Sequence, residues 1–116
     1  MKIGEIRDLL NAEILTGEDM LDCEVSSAFC CDMMSDVLAY VKDQGVLVTG
    51  LVNPQVVRTA NMMDIVCIVF VRGKAPTEEM LELAKECDIA VLLTDKRAFD
   101  TSGILYMAGL SRSIEG

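Results

Sequence analysis

"VLVTGLVNPQVV", residues 46–57, decides the fold. An apolar run leads into Thr49-Gly50, Asn53-Pro54 follow, and apolar residues then resume at helical spacing. A β-branched run that breaks at glycine and restarts behind Asn-Pro reads as a strand turning into a helix. Asn53 is a preferred helix N-cap and Pro54 a preferred first helical residue, so the pair explains itself without a ligand. Gly50 supplies either a positive φ or a close backbone approach. The same loop chemistry also cradles phosphate, but neither a Walker lysine nor the spaced glycines of a dinucleotide fingerprint follow.

Outward from this unit the pattern repeats. "IVCIVFV" (residues 65–71) and "IAVLLT" (89–94) are apolar runs suited to strands buried on both faces. Between them "TEEMLELAKEC" is a helix that Thr77 can cap, with Glu78 and Glu79 at its positive end and Met80, Leu83, Ala84 and Cys87 as its stripe. Upstream, "KIGEIRDLLNA" sets Ile3, Ile6, Leu9 and Leu10 on one helical face, and "EIL" and "EVSSAF" read as strands. "DMMSDVLAYV" reads as a helix capped by Asp32 or Ser35, with Met34, Val37, Leu38 and Val41 inward. "NPQVVRTANMMD" turns Val56, Val57, Ala60 and Met63 inward, and "FDTSGILYMAGL" closes the series as a helix ending near Gly109. Buried strands alternating with amphipathic helices predict an α/β fold. We expect one domain over residues 1–116, a mainly parallel sheet with crossover helices on both faces.

Composition narrows the function. The chain has 116 residues, 10 Lys and Arg against 19 Asp and Glu, and a formal charge of −9, which disfavours nucleic acid and an anionic membrane as partners. Between Arg7 and Lys42 every charged residue is acidic. This stretch is either a solvated face or a docking surface for a basic partner. No charged-then-apolar leader opens the chain and its apolar runs are too short to span a bilayer, so a cytoplasmic protein is expected. Five cysteines, an odd number in mostly apolar contexts, fit a reducing compartment.

Catalysis finds little support. There is no histidine, which removes the commonest general base and metal ligand. Cys30-Cys31 fits small residues at a strand-to-helix corner better than a metal or redox pair. "TGEDMLDCE" is acidic but lacks the alternating ligand order of a calcium loop. Asp100-Thr101-Ser102-Gly103 is explained by capping and close helix packing as well as by an anion. No cofactor or metal is expected.

In a parallel sheet the carboxyl ends of the strands share one edge, and ligands bind there near a topological switch point. That edge collects Cys30-Cys31-Asp32, the loop from Thr49 and Gly50 to Asn53, Arg72-Gly73-Lys74, and Thr94-Asp95-Lys96-Arg97. Four of the ten basic residues, Arg72, Lys74, Lys96 and Arg97, fall in two of these loops. The candidate ligand set is therefore Thr49, Gly50, Asn53, Arg72, Lys74, Thr94, Lys96 and Arg97, for an anionic small molecule such as a nucleotide or phosphorylated metabolite. Loops are also charged simply because they are wet.

"EVSSAFCCDMMSDVLAYV", "VLVTGLVNPQVVRTANMMDI", "IVFVRGKAPTEEMLELAKECDIAVLLT" and "TSGILYMAGL" together resemble stand-alone members of the DRTGG-domain family. The similarity runs from about Ile3 to Leu110. The literal Asp-Arg-Thr-Gly-Gly string is absent, and its counterpart is placed at Thr49-Gly50-Leu51-Val52-Asn53-Pro54. The resemblance implies an α/β domain similar to the amino-terminal domain of HPr kinase/phosphorylase. It implies a regulatory or assembly module of the kind that accompanies CBS modules in some pyrophosphatases, and a homodimer. A kinase activity is not implied, because the P-loop and the catalytic half of that enzyme have no counterpart here. Two readings follow: a non-enzymatic sensor of an anionic metabolite, or a structural subunit docking on a protein partner through its acidic half and Met33, Met34, Met62 and Met63.

Overall fold

Val46, Leu47 and Val48 alternate between two separate apolar cores, and that alternation organises the molecule. In the computed structural model, which describes residues 1–41 and 45–112, strand β3 (Val46–Thr49) lies inside a six-stranded sheet. The other strands are β1 (Glu13–Thr16), β2 (Ser27–Cys30), β4 (Cys67–Phe70), β5 (Ala90–Leu93) and β6 (Ser111–Arg112), in the order β1-β5-β4-β3-β2-β6. All pairings are parallel except β1 with β5. The expectation of a mainly parallel sheet holds.

From β2 to β5 each strand pairs with the next in sequence, so the right-handed crossovers place their helices on one face. These are α2 (Met34–Tyr40), α3 (Pro54–Met62) and α4 (Glu78–Glu86). Val37, Val56, Val57, Ala60, Met80 and Ala84 close on Leu47, Ile68, Phe70 and Val91 from that side. Helices α1 (Ile3–Leu10) and α5 (Ala98–Met107) cover the other face. There Ile3, Ile6, Leu10 and Leu105 pack on Val46, Val48, Cys67, Val69, Ala90 and Leu92. A β-branched run with no polar face suits strands sealed on both sides. Burial pushes the Cys67 thiol up to about 12, so it remains protonated at neutral pH.

The helix starts follow local chemistry in part. Asn53 accepts a hydrogen bond from the Gln55 amide at 2.8 Å, and Thr77 accepts one from Met80 at 3.2 Å, as their positions predict. Helix α2 departs from expectation. Its N-cap is Met33, with no side-chain cap, so neither Asp32 nor Ser35 plays that part. Leu38, expected inward, is 41% exposed. Seven residues give room for one buried stripe, which Val37 and then Val41 occupy.

Candidate functional site

The parallel register brings two loops together at the carboxyl edge. Cys30 pairs with Val48, so two residues further on Asp32 draws level with Gly50. Asp32 Oδ1 accepts hydrogen bonds from the Gly50 amide at 2.8 Å and from Thr49 Oγ1 at 2.9 Å. Thr49 Oγ1 in turn accepts from the Leu51 amide at 3.2 Å. The donors that could cradle a phosphate are thus held by a carboxylate of the chain itself, a charge-assisted arrangement. Asp32, read from sequence as a helix cap, is what fixes this loop. Replacing it with Ala should destabilise the protein by about 1–3 kcal/mol, because a buried hydroxyl and an amide lose their acceptor. Urea denaturation checks this, and an unchanged midpoint would show that water replaces the carboxylate at no cost.

Gly50 has its close approach, and the neighbour is Arg72. The Arg72 guanidinium donates to the Gly50 carbonyl at 3.3 Å and packs where a Cβ on Gly50 would stand. Arg72 and Gly73 follow β4 with φ of 60° and 65°. This left-handed pair folds the chain back so that the Arg72 amide donates to Lys96 O at 2.8 Å and the Gly73 amide to Thr94 O at 2.9 Å. The loops after β4 and β5 are stitched together at their bases. Beyond the stitches they part, one leading to α4 on one face and the other to α5 on the opposite face. Such divergence is the switch point at which α/β sheets open a crevice.

An open depression of about 520 Å³ lies there, lined by Arg72, Asp95 and Arg97. Lys74 and Arg97 are exposed and Lys96 is half-buried. Among the described residues no carboxylate pairs with Arg72, Lys74, Lys96 or Arg97 within ion-pair distance. Their charge is presented to solvent, tempered by Asp95 at the rim.

The eight candidate residues therefore divide. Thr94 is buried; its hydroxyl donates to Leu10 O at 2.9 Å and accepts from the Lys96 amide at 3.3 Å, tying the β5 loop to the end of α1. Thr49 is buried on Asp32, Gly50 is occupied by Asp32 and Arg72, and Asn53 caps α3. Of the four cations, Arg72 and Arg97 line the depression with Asp95, while Lys74 and Lys96 lie on the same two loops. Of the methionines, Met33 and Met62 are exposed, whereas Met34 and Met63 pack against the α2–α4 core.

Cysteine chemistry is local. Cys31 Sγ accepts from the Met33 amide at 3.2 Å, and Cys30 is exposed beside an apolar cavity of about 110 Å³. Among the described residues no three His, Cys, Asp or Glu side chains are placed to hold a metal, and no helix is long and apolar enough to cross a membrane.

Comparison with known proteins agrees with this architecture. The fold is similar to a crystal structure of the CBS and DRTGG domains of the regulatory region of Clostridium perfringens pyrophosphatase, complexed with its activator diadenosine tetraphosphate. The TM-score is 0.77 at 17% identity, over 99% of this chain and 50% of that one, so this chain spans half the length of the regulatory region it matches. No curated protein matches in sequence. The model of the DRTGG domain matches residues 5–108, nearly the whole chain, and the protein belongs to the DRTGG-domain family.

Proposed function

We propose that this protein is a non-enzymatic regulatory module that senses an anionic small molecule, a nucleotide or phosphorylated metabolite, at the carboxyl edge of its sheet. One observation carries the reading: Arg72, Lys74, Lys96 and Arg97 gather around the divergent β4 and β5 loops without carboxylate partners among the described residues, in a chain of charge −9. Unpaired cations on an acidic protein focus an attractive field on anions. The polyphosphate activator bound by the pyrophosphatase region is a ligand of the same chemical kind. The lack of histidine and of a P-loop supports sensing over catalysis.

Thermal melts test the proposal against ATP, AMP, diadenosine tetraphosphate, pyrophosphate, acetyl phosphate and a sugar phosphate. A ligand at a hundredfold over its Kd adds about 2.7 kcal/mol, which for a chain of this size raises Tm by roughly 10 °C. Lys74→Ala with Arg97→Ala should abolish the shift without lowering the unliganded Tm, since both side chains are exposed. A flat response across the panel overturns the proposal and leaves the protein-docking reading, for which exposed Met33 and Met62 are the support.

A further inference from the structure

A cleft of about 110 Å³ opens between α5 and the sheet, with Ala28, Cys30 and Val48 on its sheet side and Ser102, Leu105 and Tyr106 on its helix side. Its walls are mostly apolar, and two features set it apart from an ordinary packing gap. Three buried hydroxyls have no partner among the described residues, those of Ser27, Thr101 and Ser102, and of these Ser102 lines the cleft. Buried polar groups are ordinarily satisfied, and Ser102 Oγ can both donate and accept. The second feature is Tyr106, which lines the cleft yet is 73% exposed, so its ring is an aromatic wall open to solvent. Apolar walls, one aromatic face and a few polar groups are the makings of a small-molecule pocket. An apolar cavity of about 150 Å³ admits benzene, so this smaller, open one takes a single ring with its edge in solvent.

The position of the cleft relates it to the cations. Cys30 is level with Val48 in the β2–β3 register. Gly50 lies two residues beyond Val48, about 7 Å further along the chain and on the same face of the sheet. The Arg72 guanidinium packs where a Cβ on Gly50 would stand, so it lies on that face too. It shares the depression with Arg97, the residue that precedes α5. From the floor of the cleft to the guanidinium is thus about 10 Å, a separation that a ribose and its phosphate chain bridge. A ring slot with two guanidinium groups one sugar away fits a nucleoside polyphosphate and not a phosphorylated sugar or acid.

We infer that the cleft between α5 and β2–β3 receives the base of a nucleoside di- or triphosphate whose phosphates lie on Arg72 and Arg97. Ser102 Oγ bonds the edge of the base and Tyr106 covers its face. The inference rests on the anion-sensing reading and narrows it from anions in general to nucleotides.

Isothermal titration calorimetry of the full chain compares ATP, GTP, CTP and UTP with tripolyphosphate, which carries the phosphate chain and no base. At least one nucleotide should bind ten times or more tighter than tripolyphosphate, because stacking and burial of the base add to the phosphate contacts. Cys30→Leu and Ser102→Leu fill the cleft from opposite sides; each should remove that advantage and leave tripolyphosphate binding within twofold. Cys30 is exposed, so its replacement should keep the fold, which circular dichroism checks. In the unaltered protein, nuclear Overhauser contacts from base protons to the Val48 methyls and the Tyr106 ring read the placement directly. Four nucleotides no tighter than tripolyphosphate overturn the inference and leave the anion sensor standing. A nucleotide preference that survives both substitutions, or that comes without those contacts, overturns it by placing the base elsewhere. Silence from the nucleotides and tripolyphosphate alike overturns the anion sensor itself, and this inference with it.

Discussion

Phe70→Ala should destabilise the protein by about 3–5 kcal/mol. Phe70 is fully buried on β4, a central strand, and packs in the core that α2, α3 and α4 close. Removing its ring from between two packed layers leaves a cavity whose walls belong to several elements and cannot collapse together. Against a typical total of about 5–15 kcal/mol the loss is a large share, and Tm should fall by roughly 10–20 °C. Guanidinium denaturation of the two proteins measures it. A loss below about 1 kcal/mol would mean that this core is not closed as described.

Gly17→Val should cost a comparable amount, about 2–5 kcal/mol, by a different route. Gly17 has φ of 92°, a region where a side chain costs about 1–2 kcal/mol. A Cβ there would also stand 2.7 Å from Ala90 Cα, inside the sheet where β5 begins, adding an overpacking cost of about 1–3 kcal/mol. Gly109→Ala separates the two terms. Its φ of 113° carries backbone strain, but nothing lies within 4 Å of its Cβ position. Equilibrium unfolding should rank Gly17→Val well above Gly109→Ala, and equal losses would remove the collision with Ala90 from the account.

The fold was largely legible because its signals are local. Runs such as "IVCIVFV" carry burial on both faces in their composition, and Asn53-Pro54 and Thr77 announce helix starts within one turn of the bonds they make. The antiparallel edge strand β1 was read as a strand, but its partner was not, because β5 lies more than seventy residues away in sequence. The site was less legible for the same reason. Asp32 meets Gly50 through the β2–β3 register, and Thr94 meets Leu10 across 84 residues; neither distance leaves a mark in either residue's neighbours. Sequence reasoning placed four cations on two loops of this edge, whereas the partners of the groups beside them came only from the structure: Thr49 on Asp32, Thr94 on the Leu10 carbonyl and Asn53 on the Gln55 amide. The pairing of Arg72 with the Gly50 carbonyl needed the loop's backbone to be known first.

The strand order also sets how the chain closes on itself. Pairings Ala28↔Val46, Val46↔Cys67 and Cys67↔Ala90 span 18, 21 and 23 residues, whereas Ile14↔Leu92 and Ser27↔Ser111 span 78 and 84. Loop-closure entropy rises with the logarithm of length, so the middle of the sheet zips in short, near-equal steps and the long closures fall at its two margins. The loops carrying Gly50 and Arg72 hang from the locally zipped strands.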